Sequence, residues 1–169
     1  MKTITQAVGG SLKWAQVSAK HHELRSADEL IASLEFRSLL GTFATAKSGD
    51  GCFTFKRTGF WQSRATIRAC DSDTEIAVFV NNTWASGGTL EFPDGRKYKA
   101  TTNFWMTRLE FTSETDESLV QFNYGGVFRK KADLEISEAA RRDPHTHLLV
   151  TFGWYLAIML SNDAVAAAT

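Results

Sequence analysis

The sequence predicts a mainly β protein, a closed antiparallel β-barrel of about 12 strands wrapped around a buried hydrophobic C-terminal α-helix. Two observations lead to this architecture. Short segments of alternating apolar and polar residues, separated by turn signals, occupy most of the chain from residue 11 to residue 136. The chain then contains one long apolar helical segment that has no polar face.

The helical segment is densest between Leu148 and Leu160, where only Thr151 and Gly153 are not apolar. This stretch is shorter than the roughly 20 apolar residues that a membrane-spanning helix needs, and runs of about 10–14 are more typical of core helices. A helix that is apolar on every side must be buried in protein or in lipid. The length favours burial in protein, with a membrane anchor as the alternative.

The ends of the segment support the same interpretation. Asp143 can cap the helix, and Pro144 fits the first helical position, where no backbone donor is needed. The pair Asn162-Asp163 interrupts the apolar run near its end, which is costly inside a bilayer. We therefore predict a central helix over residues 144–163 and no transmembrane span.

The strand segments show a period of two, which indicates one buried and one solvated face in an antiparallel sheet. Polar and glycine-containing turns at residues 48–51, 71–73, 93–95 and 113–117 separate several of them. Ile76–Val80 is apolar at every position, so this strand is expected to be covered on both faces. The alternating segments are Leu30–Phe36, Phe53–Lys56, Arg64–Ala69, Leu90–Phe92, Leu109–Phe111, Val120–Tyr124 and Leu134–Ile136.

Combining the two parts gives one domain. A closed barrel of this many strands has an interior too wide for its own side chains, and a helix about 10 Å across can fill it. Gly153 is expected to permit a close backbone approach on one side of the helix. Residues 1–10 are predicted to be a flexible leader, and residues 11–169 the barrel domain. The helix side chains expected to meet the strands are Leu148, Leu149, Phe152, Trp154, Tyr155, Leu156, Ile158, Met159 and Leu160.

The amino-acid composition argues against some classes of function and location. Lys and Arg number 19, as do Asp and Glu, so the chain has no net charge to attract nucleic acid and no nucleic-acid partner is predicted. Residues 1–20 contain no continuous apolar run of the kind found in signal peptides, which favours a cytoplasmic location, with peripheral contact to a membrane. Cys52 and Cys70 are accordingly expected to be buried thiols rather than a disulfide.

Four stretches resemble the tubby C-terminal-like superfamily, which includes the LURP-one-related proteins and the phospholipid scramblases. They are Leu39–Ala44, Gly51–Phe60, Gly87–Tyr98 and His147–Asp163, and the resemblance spans roughly residues 12–163. It implies a 12-stranded barrel around a central helix, and a role in phosphoinositide binding or membrane association. The Pro-rich leader, Cys-rich segment and calcium-binding segment of scramblases are missing from the sequence, so lipid scrambling is not implied.

The candidate ligand-binding residues are Arg129, Lys130 and Lys131, the densest basic run in the chain. Such a run can contact anionic headgroups, at about 1 kcal/mol per charge near a membrane surface, or can simply be a solvated loop. Cationic residues on the strands around residues 56–68 extend the predicted patch; they are Lys56, Arg57, Arg64 and Arg68. The predicted partner is anionic lipid or another protein.

No catalytic residue, metal site or cofactor is predicted. Ser86 lacks the strand–turn–helix context of a nucleophile elbow. His145 and His147 point in different directions at a helix start, and adjacent strand residues His21 and His22 face opposite sides, so neither pair is expected to bind metal. The tryptophans at positions 61, 84 and 105 are interpreted as core or loop plugs, with an aromatic binding rim as the alternative.

These observations predict a non-enzymatic binding or scaffold module that recognises anionic phospholipid headgroups at its surface. Two alternatives stay open. One is a lipocalin-like small-molecule carrier, which requires an empty barrel and a terminal helix with a polar face. The other is a membrane-anchored, scramblase-like protein that uses the C-terminal helix as its anchor.

Overall fold

The structure, a computed structural model, describes residues 1–58, 64–82, 87–103, 105, 107–125 and 131–168 of the 169-residue chain. A 3-10 turn at Thr5–Ala7 precedes the first strand. Two helices follow the last strand, α1 (Glu138–Arg141) and α2 (Thr146–Ala168). The strands are β1 (Leu12–Gln16), β2 (His21–Ser26), β3 (Glu29–Phe36), β4 (Ala44–Ser48), β5 (Gly51–Thr58), β6 (Arg64–Ala69), β7 (Glu75–Asn81), β8 (Gly87–Glu91), β9 (Lys97–Thr102), β10 (Arg108–Thr112), β11 (Ser118–Asn123) and β12 (Lys131–Ile136).

The described strands form a closed antiparallel barrel, as the sequence predicts. Each strand pairs with its neighbours in the chain, and β1 closes the barrel by pairing with β12. Leu12 lies opposite Leu134 and Trp14 opposite Ala132 across this closure, so inward positions match inward positions. The alternating pattern sets this register, because a slip by one residue would expose every apolar side chain of the strand.

Helix α2 occupies the interior of the barrel. Its side chains are buried from Leu148 to Met159, with relative exposures of at most 9%. They contact rings that come from several sides of the barrel. Ring pairs join β1, β3, β5 and β7 to the helix, and they are Trp14–Trp154, Phe36–Tyr155, Phe55–Phe152 and Phe79–Phe152, with centroid separations of 5.4 to 5.9 Å.

Gly153 lies close to β10 and β11, but the predicted backbone approach is wrong, because side chains of these strands make the contact. A Cβ at this position would lie 2.4 Å from the ring of Phe122 and 3.0 Å from that of Phe111. The approaching groups are therefore aromatic side chains. A cavity of about 10 Å³ lies beside the helix near Phe79 and Met159, which is about the space of one water molecule. An empty carrier barrel and a lipid-anchored C-terminal helix are both incompatible with this packing.

The boundaries of α2 differ from the predicted residues 144–163. The helix starts at Thr146, because the Asp143 carboxylate accepts a hydrogen bond from the His145 N–H (2.8 Å) and holds the preceding residues in a turn. It continues to Ala168, past the predicted end at Asp163. Asp163 is exposed and bound to Arg57, so a polar residue there does not need to end the helix.

The prediction that Ile76–Val80 is covered on both faces is wrong. Ala77 and Phe79 are buried, and Ile76 is half-buried and packs against the core, but Val78 is half-buried and Val80 is exposed on the outer face. No described element covers this outer face, so the strand is not covered on both sides. The all-apolar sequence reflects tolerance of scattered apolar residues on a protein surface.

The first ten residues also differ from the predicted flexible leader. Ile4 is fully buried, and its backbone N–H donates to the Asp50 carboxylate at 2.9 Å. Lys2 forms an ion pair with Glu29 at 3.1 Å. The segment is packed on the barrel because the 3-10 turn brings Ile4 and Ala7 to one side, where both join the core.

Cys52 and Cys70 form a disulfide, so the prediction of two buried thiols is wrong. The residues face each other at the end of the β5–β6 pair, where the Cys70 N–H donates to the Cys52 carbonyl at 3.1 Å and the Cα atoms are 5.4 Å apart. This separation suits a disulfide. Residue spacing alone does not show which side chains face each other across two strands.

Among the described helices, none is both long and apolar enough to cross a bilayer.

Candidate functional site

The two ends of the barrel differ in character. Helix α2 enters at one end, where His147 contacts Phe53 (ring centroids 5.4 Å apart) near the start of β5. It leaves at the other end, where Asp163 forms a two-pronged ion pair with Arg57 near the end of β5 (2.7 and 3.0 Å). We call these the entrance end and the exit end. The strand connections at each end can therefore be assigned from the order of the strands.

Acidic residues are concentrated at the entrance end. Six connections join the strands at the exit end, and their sequences contain no Asp or Glu. They are the connections β1–β2, β3–β4, β5–β6, β7–β8, β9–β10 and β11–β12. Lys20 and Arg37 lie in the described parts of these connections. The connections at the entrance end carry Asp28, Asp50, Asp71, Asp73, Asp94, Glu114, Asp116, Glu117, Glu138 and Asp143.

The exit end also exposes large apolar side chains. Val17 lies in the β1–β2 connection, Leu39 and Leu40 in the β3–β4 connection, and Trp105 in the β9–β10 connection. Their relative exposures are 58%, 67%, 100% and 78%. We call these four residues the apolar rim. The exit end therefore carries both exposed apolar side chains and cations.

The β3–β4 connection is held at its base, which leaves its tip projecting. The Arg37 N–H donates to the Phe43 carbonyl at 3.0 Å. The Thr42 hydroxyl donates to the Arg57 carbonyl at 3.0 Å, and the Tyr155 hydroxyl of α2 donates to the Thr42 carbonyl at 2.6 Å. Burial raises the pKa of the Tyr155 phenol, so it stays a neutral donor near neutral pH. The central helix thus anchors the connection that presents Leu39 and Leu40.

Trp105 is presented by a turn built on Asn103. The Asn103 side-chain oxygen accepts hydrogen bonds from the N–H groups of Thr107 (2.8 Å) and Arg108 (3.1 Å), and its amide nitrogen donates to the Thr107 hydroxyl (2.8 Å). This tight turn holds Trp105 at the surface. The core or plug interpretation is therefore wrong for Trp105. Trp61 and Trp84 lie outside the described residues.

The predicted basic site is only partly within the described residues. Arg129 and Lys130 lie outside them, whereas Lys131 is an exposed residue at the start of β12. In the barrel order, β6 lies on the opposite side from β12. Arg64 and Arg68 on β6 both approach Glu75 at 3.7 Å. They therefore do not extend a patch around Lys131.

The entrance end contains a polar network around the start of α2. The Tyr98 hydroxyl donates to Asp143 at 2.7 Å, and His145 Nε2 lies 2.9 Å from the carboxylate of Asp94. The His145 ring also stacks on Phe92, with centroids 3.7 Å apart. Burial and the neighbouring Asp143 raise the pKa of Tyr98. These contacts fasten the helix entrance to the β8–β9 hairpin.

The described residues of this network do not form a metal site. Within the described ranges, no group of three or more His, Cys, Asp or Glu side chains is placed to hold a metal ion. His145 is engaged by Asp94, and His147 contacts Phe53. Burial lowers the pKa of His147, as expected for an imidazole packed among apolar groups.

The sequence pattern does not identify Leu39, Leu40 and Val17 as surface residues. A signal was present, since Leu39-Leu40 stands between Ser38 and Gly41 in a segment without strand periodicity. Recognising its importance requires knowing which connections share one end of the barrel. That assignment depends on the number and direction of all preceding strands, so a single uncertain strand reverses it.

Comparison of the chain with protein-family models, curated proteins and solved structures finds no match.

Proposed function

We propose that this protein is a non-enzymatic binding module that attaches to anionic phospholipid membranes by its exit end. The observation that carries the proposal is the asymmetry of the barrel ends. The exit end has the apolar rim, Lys20 and Arg37 without acidic connections, whereas the entrance-end connections carry ten acidic residues against Arg96, Arg141 and Arg142. A membrane with a negative surface would attract the first end and repel the second.

The energetics suit reversible attachment. Fully burying a leucine side chain contributes about 1.5–3 kcal/mol, and each cation near an anionic surface contributes about 1 kcal/mol. Leu39, Leu40, Lys20 and Arg37 together can therefore supply roughly 5 kcal/mol or more, which corresponds to about a 5,000-fold change in partitioning. Trp105 suits the interface because its ring is amphipathic.

The family relationship and the location belong to the same proposal. The motif resemblance and the helix-filled barrel support a tubby-like module, and the exit-end surface supports peripheral contact with a membrane. The Cys52–Cys70 disulfide weighs against the predicted cytoplasmic location, because disulfides persist mainly in oxidising compartments. Anionic lipid is the proposed partner in either compartment.

Vesicle flotation tests the proposal. The protein should float with vesicles that contain phosphatidylglycerol and stay unbound with phosphatidylcholine alone, and added salt should weaken binding. Leu39→Ser combined with Leu40→Ser should lower partitioning about a hundredfold, by removing roughly 3 kcal/mol of apolar transfer. Val78→Ser, on the barrel wall, is the matched control and should bind like the unmodified protein.

A variant of the predicted basic run provides an independent test in the same flotation experiment. Arg129→Glu combined with Lys130→Glu should also reduce flotation if this run contacts the headgroups. Equal binding to both vesicle types, no binding to either, or full binding by the Leu39/Leu40 variant would refute attachment through the exit end.

A further inference from the structure

A groove of about 480 Å³ lies on the outer surface of β3 and β4, next to the connection that carries Leu39 and Leu40. Lys20, from the end of the β1–β2 connection, forms one side. Arg37, Thr45 and Lys47 line it from β4 and from the residue that follows β3. The groove is therefore at the exit-end half of the wall, where a membrane surface would meet it.

Three cations line this groove. In the part of the chain that the structure describes, Lys20, Arg37 and Lys47 form no ion pair with a carboxylate. By contrast, Arg25 and Arg57 bind carboxylates at 2.7 Å. Unpaired cations that converge on one concavity create a local positive potential that favours an anion.

The backbone fixes two of the cationic residues. The Lys20 carbonyl accepts a hydrogen bond from the Phe36 N–H at 2.9 Å, which ties the β1–β2 connection to the end of β3. Arg37 is tied through its N–H to the Phe43 carbonyl, and its guanidinium carbon lies 4.1 Å from the centroid of the Phe43 ring. This cation–π contact orients the guanidinium before any ligand binds.

The remaining lining consists of two hydroxyl groups, one carboxylate, the His21 imidazole and the rings of Phe36 and Phe43. Ser33 lies opposite Lys47, and Glu35 lies opposite Thr45, in the β3–β4 register. The hydroxyls of Ser33 and Thr45 can donate hydrogen bonds to anionic oxygens. Glu35 lines the same groove and opposes an anion, but the three cations outnumber it. Because the Glu35 carboxylate opposes an anion in the groove, removing its charge is a sensitive test of anion binding.

We propose that the groove binds a phosphate monoester. Such a group carries about −1.5 to −2 charges near pH 7 and has three terminal oxygens. Arginine can engage two of these oxygens with its planar donors, while each lysine acts as a point charge. A phosphodiester has one charge and two such oxygens, so it uses the three cations less completely. The monoester can be carried by a lipid headgroup or by a free metabolite; the lipid case rests on the proposed membrane attachment.

Two measurements on the full chain separate these sources. The first compares vesicles containing phosphatidate, a monoester, with phosphatidylglycerol vesicles adjusted to the same surface potential. We expect about tenfold tighter binding to phosphatidate, a ratio typical of one to two extra charge contacts. The second titrates glycerol 3-phosphate by calorimetry without vesicles. Saturable binding there identifies a free monoester as a sufficient ligand, and preference on vesicles alone identifies the lipid.

Variants link either result to the groove. Arg37→Gln and Lys47→Gln should each abolish the monoester preference, whereas Glu35→Gln should increase monoester affinity several-fold by removing the opposing charge. The gain from Glu35→Gln cannot result from misfolding. Lys97→Gln, a cation at the start of β9, is the matched control and should keep the preference.

The outcomes distinguish this proposal from membrane attachment. If the unmodified protein does not bind phosphatidylglycerol vesicles, membrane attachment is refuted. The glycerol 3-phosphate titration then still tests the groove. Equal binding to both charge-matched vesicles together with no glycerol 3-phosphate binding would overturn the groove proposal. So would a monoester preference that survives either Arg37→Gln or Lys47→Gln.

Discussion

His22 is a polar side chain in the barrel interior, and its contacts define its protonation state. It is 3% exposed, and its Nδ1 accepts a hydrogen bond from the Trp154 indole N–H at 3.1 Å. An acceptor at Nδ1 must carry a lone pair, so the imidazole is neutral with its proton on Nε2. Burial, aided by the nearby His21, lowers the pKa of His22 to about 4.

Acid should therefore destabilise the fold through His22. The unfolded side chain has a pKa of about 6.5, so between pH 6.5 and pH 4 the unfolded state binds more protons than the folded state. The free energy of unfolding should fall by roughly 3 kcal/mol across this window. Urea unfolding at several pH values measures the slope. His22→Gln should have a shallower slope, and an unchanged slope would show that His22 does not titrate as described.

At this scale the sequence predicts the core better than the surface. The apolar helix residues and Gly153 are identifiable because a helix without a polar face has only buried positions. The opposite orientations of His21 and His22 follow from strand periodicity, and the structure confirms them. The contact between His22 and Trp154 is not predictable, because the residues are 132 positions apart and nothing local links them.

At the scale of elements, α2 and the strands depend on each other. The helix is fastened at its entrance by the network around Asp143 and at its exit by Arg57 and Asp163. Strand periodicity predicted most of the pairs, because one face of each strand meets the helix. It failed for Ile76–Val80, since an apolar outer face can occur without a covering layer.

The disulfide is the clearest element-level prediction that can be checked. Cys52 and Cys70 are 18 residues apart and join β5 to the end of β6. Closing a loop of this size should stabilise the fold by about 3 kcal/mol. Cys52→Ser combined with Cys70→Ser should lower the free energy of unfolding by that amount, measured by urea unfolding without reductant.

Reductant supplies the control for this experiment. It should lower the stability of the unmodified protein to that of the double variant and leave the variant unchanged. Alkylation of both cysteines in the native protein without reductant would show free thiols and contradict the disulfide.

For the whole molecule, the proposed function depends on the difference between the barrel ends. This difference is not visible in the overall composition, which has equal numbers of acidic and basic residues. It appears when alternate connections are assigned to opposite ends of the antiparallel barrel. The sequence could predict the barrel and its helix, but it pointed to Arg129, Lys130 and Lys131 because consecutive charges are visible in a sequence. The apolar rim and the groove combine residues that are distant along the chain.

Hydrogen–deuterium exchange with phosphatidylglycerol vesicles tests the attachment of the exit end most directly. It uses the unmodified chain and reports both ends in one experiment. Residues 17–20 and 37–43 should exchange more slowly when vesicles are bound, because the membrane excludes water from them. Residues 113–117, at the entrance end, should be unaffected. Protection of residues 113–117 without protection of residues 37–43 in vesicle-bound protein would contradict the proposed orientation.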